Sequence, residues 1–217
     1  MESLEEKKHR AIEICRVLKK RYPEARCTLD HSGPYELLVA TMLAAQCTDE
    51  RVNMVTPALF KRYPDAASLA GADEAELQEM IRSTGFFRNK TKSLLSMAAD
   101  IVEKFNGEIP SDIDSLTRLA GVGRKTANVV IANCFDGQAI IVDTHCKRLA
   151  GRLGFSRESN PDKIERDLQT IVPEDSWTLW SHLMVFHGRN ICTARKPGCP
   201  ECPVSRLCPW PDKTGSG

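Results

Sequence analysis

Four cysteines near the C-terminal end, Cys192, Cys199, Cys202 and Cys208, are spaced C-x6-C-x2-C-x5-C. Pro197, Gly198 and Pro200 interrupt the same stretch. It cannot run as one helix, so its shape must come from whatever the sulfurs bind. Four thiolates on one short loop suit a tetrahedral metal ion or an iron–sulfur cluster. Zinc sites commonly pair two short knuckles, and a single C-x2-C flanked by wider gaps favours the cluster. The remaining cysteines, Cys15, Cys27, Cys47, Cys134 and Cys146, sit among apolar neighbours and read as small buried hydrophobes. Disulfides are a poor account of the pattern. The total of 9 cysteines is odd, no signal-peptide pattern opens the sequence, and 217 residues can bury a core without staples.

The rest of the chain reads as helix. Ser3 and Glu6 form a capping box, and Ala11, Cys15, Leu18 and Tyr22 follow at helical spacing. Pro34 opens a helix over 34–46. Asp49 starts another that Pro64 ends, and Asp73 with Glu76 opens one that Gly85 closes. A longer helix runs from about Arg88 to Phe105, stopped by Asn106-Gly107. Ser111 with Asp114 opens a short one. The run from Thr126 to Phe135 is apolar almost all round and predicts a central buried helix. Segments 143–153, 161–171 and 175–187 complete the set. Only Ala139–Val142 looks extended, and it is too short for a sheet. The tail from Thr214 to Gly217 reads as disordered. The fold class is all-α with short connections.

Formal net charge is only +1, so a polyanion would have to be met by local patches. Arg118, Arg124, Lys125, Lys147, Arg148 and Arg152 face only Asp136 and Asp143 in the same stretch. The cysteine segment adds Arg189, Arg195, Lys196 and Arg206, while Asp65, Asp73, Glu74, Glu76 and Glu79 concentrate acid elsewhere. Such asymmetry fits one nucleic-acid face, although an unevenly charged solvated surface explains either patch alone. No run of apolar residues is long enough to span a membrane, so a cytoplasmic, nucleoid-associated location is expected.

Leu119-Ala-Gly121-Val-Gly123-Arg-Lys-Thr126 joins two helices through a Gly-x-Gly turn. Backbone N–H groups exposed there, at the start of the next helix, form an anion site that holds a phosphodiester without reading bases. Two glycines alone would read as an ordinary turn. Arg124, Lys125 and Thr126 following them favour phosphate. Lys125 by itself reads as a phosphate contact, and Asp143, ahead of a helix, as a plain N-cap.

The combination of motifs resembles the endonuclease III family of DNA glycosylases. Gly121-Val-Gly123 is similar to the family's helix-hairpin-helix, with Ala120 where members often carry proline. The cysteine spacing matches its [4Fe–4S] loop, Val142-Asp143-Thr144-His145 its catalytic aspartate motif, and Leu43 to Asp49 a further family segment. The resemblance covers almost the whole chain, with the motifs in the family's order. It implies two helical lobes with a DNA-binding cleft between them: residues 26–136 carrying the hairpin, and 1–25 plus 137–217 carrying the cluster, with Lys125 and Asp143 facing each other. It implies a bifunctional glycosylase and abasic-site lyase that excises oxidised pyrimidines from double-stranded DNA in base excision repair, acting as a monomer and cleaving abasic sites.

In that family the lysine at the position of Lys125 attacks the sugar C1′. Free lysine titrates near ~10.4, so a neutral amine at neutral pH costs roughly 4–5 kcal/mol. A helix N-terminus supplies at most about 2 kcal/mol, so partial burial in a closed cleft is expected to supply the rest. Asp143 would stabilise charge building on the sugar and assist proton transfer. The target base must be flipped out. Gln46 matches the residue that fills the vacated space, and Phe86 the apolar wedge, with Phe87 as the alternative ring. Both rings also suit core packing, and Gln46 a helix cap. His145 would lie near backbone or sugar. Gly121, Gly123, Arg124 and Thr126 would hold phosphate at the hairpin, and Arg195 and Lys196 at the cluster loop, with Cys192, Cys199, Cys202 and Cys208 as metal ligands. Three rival readings stand beside this one: a monofunctional relative lacking the lysine nucleophile, a zinc-held DNA-binding module without catalysis, and a redox carrier, which has no use for the hairpin.

Overall fold

The computed structural model describes residues 2–215. Ser216 and Gly217, at the end of the tail read as disordered, lie outside the described residues. The helices are α1 (Leu4–Arg21), α2 (Pro34–Leu43), α3 (Asp49–Arg62), α4 (Ala66–Ala70), α5 (Glu74–Ile81), α6 (Phe87–Phe105), α7 (Ile113–Thr117), α8 (Arg124–Cys134), α9 (Thr144–Arg152), α10 (Pro161–Gln169) and α11 (Trp177–Asn190). No strand occurs among the described residues, so the all-α expectation holds. The chain divides into two compact units, one of Cys27–Gly137 and one of Met1–Arg26 with Gln138–Gly217.

The unit of Cys27–Gly137 holds α2 to α8. Its axis is α2, which is buried at every position from Leu37 to Leu43. α2 packs on α8, α3 and α6, while α4 and α5 pack on α6. The sequence pointed to α8 as the central buried helix, but α8 is buried only over Ala127–Ile131. α2 also ends at Leu43 rather than reaching 46. Beyond it the chain turns away, because Gln46 takes a positive φ of 55° that no helix continues. α4, which periodicity did not reveal, starts at the Asp65 capping box with Ser68. α7 is capped by Asp112 rather than Ser111. α6 begins one residue earlier than expected, at Phe87, with Phe86 in the left-handed region.

The other unit packs α1, α9, α10 and α11 around Ile14, Leu18, Leu149, Ile164, Leu168, Trp180 and Leu183. Ser3 and Glu6 form the expected capping box at α1. Ala139–Val142 is buried and forms neither helix nor strand. The Ile141 N–H instead donates to Ser181 Oγ on α11 at 2.8 Å, which satisfies a backbone group that would otherwise be orphaned. That anchoring delivers Asp143 to the N-cap of α9.

Candidate functional site

Two sets of residues are placed by the unit of Cys27–Gly137. The first is the hairpin between α7 and α8. Gly121 sits at φ +73°, and a Cβ there would fall 2.8 Å from Cβ of Ser93 on α6, so backbone and packing both require glycine. Gly123 differs. Its φ is −88°, and an added Cβ would meet nothing within 4 Å. Nothing inside the fold explains the glycine, whereas close approach of a ligand to the backbone would. Gly123 is the N-cap of α8 and no side chain caps it, leaving first-turn donors for an anion. Arg124 and Lys125 are exposed at the next two positions, and Thr126 is half-buried.

The second set lies at the ends of two loops. Gln46 and Phe86 line one cavity of ≈ 240 Å³ with Met42, Ala45, Asn89, Lys90, Ser93 and Gly121. Phe86 is 63% exposed, while Phe87 is half-buried at the first position of α6. An apolar ring left in solvent at a positive φ of 48° is a costly arrangement on two counts. Lys90, which sequence reading passed over, lies beneath. Its Nζ donates to the carbonyls of Leu43 and Thr84, each at 2.8 Å, and burial holds its ammonium below the ordinary lysine range.

The other unit places Asp143 and His145. Asp143 is half-buried and caps α9, its Oδ1 accepting from the Cys146 N–H at 2.7 Å. His145 is also half-buried, and Arg148 Nη2 lies 3.1 Å from its Nδ1. Burial lowers the imidazole's proton affinity, against the opposing pull of the Asp143 carboxylate. Arg148 in turn donates to the carbonyls of Gly188 and Cys192 at 3.0 Å. The contact demands glycine at 188, where a Cβ would sit 2.8 Å from His145 Nδ1.

Cys192, Cys199, Cys202 and Cys208 are all free and half-buried, and all four line one cavity of ≈ 30 Å³. Arg152 Nη1 donates to Cys192 Sγ at 3.2 Å, and His187 Nε2 lies 3.4 Å from Cys202 Sγ. Convergent thiols with a guanidinium donor at one sulfur and an imidazole nitrogen beside another fit a thiolate-bound group. Among the described residues no three His, Cys, Asp or Glu side chains close on a single-ion site. Arg195 and Lys196 are exposed on the loop, whose backbone is held by Arg152 Nη2 on Ala194 O at 3.0 Å. Arg148 and Arg152 therefore do not belong to a free phosphate patch, since their guanidinium groups brace the cysteine loop. Of the remaining cysteines, Cys146 is buried, and Cys15, Cys27, Cys47 and Cys134 are half-buried.

Residues 39–174 match the family described as HhH-GPD superfamily base excision DNA repair protein. Endonuclease III of Synechocystis sp. (strain PCC 6803) is 54% identical over 204 residues, covering 94% of this chain and 93% of its own length. Endonuclease III of Bacillus subtilis (strain 168) is 44% identical, covering 86% of each. Among solved structures, a trapped endonuclease III–DNA covalent intermediate is similar at a TM-score of 0.89 and 42% identity, over 93% of this chain and 95% of that one. A non-covalent endonuclease III–DNA complex is similar to the same degree. No helix among the described residues is long and apolar enough to cross a membrane. The chain belongs to the HhH-GPD superfamily of base excision DNA repair proteins, within its endonuclease III family.

Proposed function

We propose that the chain is a bifunctional DNA glycosylase and abasic-site lyase that acts on oxidised pyrimidines in duplex DNA. The observation that carries the reading is Lys125, exposed at the uncapped start of α8 directly behind the Gly121-Val-Gly123 turn. Phosphate bound by the turn sets a sugar beside the amine. The Lys125 amine attacks C1′, the base departs, the sugar opens to a Schiff base, and β-elimination expels the 3′ phosphate. A relative trapped as a covalent intermediate with DNA supports a nucleophile of this kind. Lys125 is exposed in the chain alone, so the water around its amine is displaced only when DNA is bound. Asp143, fixed by its own cap, stabilises the charge that builds on the sugar.

In this reading Gln46 and Phe86 enter the duplex when the base leaves it, and Phe86 rather than Phe87 is the wedge because its ring is the exposed one. Gly121, Gly123, Arg124 and Thr126 hold phosphate at the hairpin. His145 lies near backbone or sugar, and Arg195 and Lys196 reach phosphates from the cysteine loop. Cys192, Cys199, Cys202 and Cys208 would hold a [4Fe–4S] cluster, whose contribution is to shape that loop. A single copy supplies every residue named, so the protein acts as a monomer, on DNA in the nucleoid.

The test is borohydride trapping on one duplex with thymine glycol and one with an abasic site, wild type beside Lys125→Ala. A covalent adduct on both substrates, absent from the variant, is expected. Base release without an adduct would place the chain with monofunctional relatives. Binding with neither would leave a non-catalytic module.

A further inference from the structure

Lys90 occupies an unfavourable place that no function so far explains. It stands in the first turn of α6, where a helix repels cations. It is only 8% exposed, and the partners of its Nζ are two neutral carbonyls rather than a carboxylate. One is the carbonyl of Leu43, the last residue of α2. α2 has no basic residue in its own last turn, so an ammonium from α6 takes the place that a helix C-terminus reserves for a cation. The other is the carbonyl of Thr84, just before Gly85 and Phe86.

Each carbonyl leads directly into a strained segment. Gln46 comes three residues after Leu43, and Phe86 two residues after Thr84. Both adopt a positive φ, at 55° and 48°. The other such non-glycine residues, Asn106 and Asp136, are types that tolerate that region, whereas Gln and Phe are not. Strained residues persist where their surroundings over-determine them. Here one buried ammonium ties down both segments, and Gln46, Phe86 and Lys90 line the same cavity.

We infer that Lys90 is a positioning residue: its ammonium staples the Gln46 loop to the Phe86 loop, so that the two side chains enter the duplex as one preformed unit. The inference rests on the reading of Gln46 and Phe86 as the inserting residues. Lys90 touches no reacting atom in this scheme. It sets the geometry that lets the duplex surrender its base, and a misplacement of about 1 Å at such a point costs on the order of 10²-fold in rate.

The experiment measures single-turnover base release by the full chain on two thymine glycol duplexes. One is fully paired, and the other lacks the nucleotide opposite the lesion, so that no partner base need be displaced or replaced. Gln46→Ala and Phe86→Ala test the underlying reading, and each should lose rate on the paired duplex and retain most of it on the gapped one. Lys90→Met, similar in length but without donors, should show the same selectivity, with a loss of about 10–100-fold on the paired duplex only. Lys90→Gln, which keeps donors for one carbonyl, should fall between, and it decides the matter should Lys90→Met fail to fold. Selective loss in Gln46→Ala and Phe86→Ala, but equal loss on both duplexes or no loss in the Lys90 variants, would overturn the inference alone. Absence of selectivity in Gln46→Ala and Phe86→Ala would overturn the insertion reading, and the inference with it.

Discussion

Asp143 carries two duties that substitution can separate. Its Oδ1 accepts the Cys146 N–H at 2.7 Å and so caps α9, while the same carboxylate is assigned to the sugar. Removing the cap in Asp143→Ala costs about 1 kcal/mol. Loss of an anion at the helix N-terminus adds about 0.3–1 kcal/mol. A total near ~1–2 kcal/mol corresponds to a melting temperature lower by about 2–8 °C for a chain of this size. Asparagine caps as well as aspartate, so Asp143→Asn forfeits only the charge and should melt within about 1–4 °C of wild type. Activity should not follow that order. Both variants lose the carboxylate, and each should lose about 10²–10⁴-fold in single-turnover release of thymine glycol. Melting by circular dichroism and base release by rapid quench are read on the same preparations. Base release by Asp143→Asn within about threefold of wild type, well short of the loss a catalytic carboxylate implies, would refute the catalytic role. Activity falling in step with melting temperature would reduce Asp143 to a cap.

The two hairpin glycines should respond in opposite ways. Gly123→Ala has room and an ordinary φ, and the unfolded-chain entropy it saves offsets alanine's poorer N-cap preference, so its stability should change by less than about 1 kcal/mol, yet its anisotropy-measured affinity for duplex DNA should fall. Gly121→Ala must clear Ser93 at a positive φ, and should lose about 1–3 kcal/mol in a denaturant titration. Equal behaviour of the two would contradict the separation. His182 is partly buried, and burial pushes its imidazole down to about 4 from the ordinary 6.5. Between those values the unfolded chain binds the proton and the folded chain does not, so stability present at neutral pH is lost as pH falls from about 6.5 towards about 4. The contribution is on the order of 1–3 kcal/mol. His182→Gln should flatten the pH dependence of chemical denaturation across that window, and an unchanged slope would refute the assignment.

Features that are legible in this sequence are local ones. The Ser3–Glu6 capping box, the Asp73 cap and the Asp143 cap each need only a side chain and an N–H three residues on, and each forms. Errors arise where the deciding partner is distant or the element is very short. α4 has five residues, too few to show a period. The run through Ala44-Ala45-Gln46 continues a helical composition, but the chain turns out of α2 at the Leu43 carbonyl that Lys90 holds. The cations show the same limit. Arg148 and Arg152 sit in a basic stretch that reads as a phosphate face, yet they donate to carbonyls of the cysteine loop, 41 or more residues away. Lys90 is not marked out by any sequence motif, and its acceptors lie 47 and 6 residues off. A basic residue announces a donor in the sequence, but not its acceptor, and in a helical protein many acceptors are helix-end carbonyls placed by tertiary packing. Charge counts therefore overstate what is left for DNA. The exposed cations of the two candidate motifs are Arg124, Lys125, Arg195, Lys196 and Arg206, beside N–H donors at Gly123 that carry no formal charge at all.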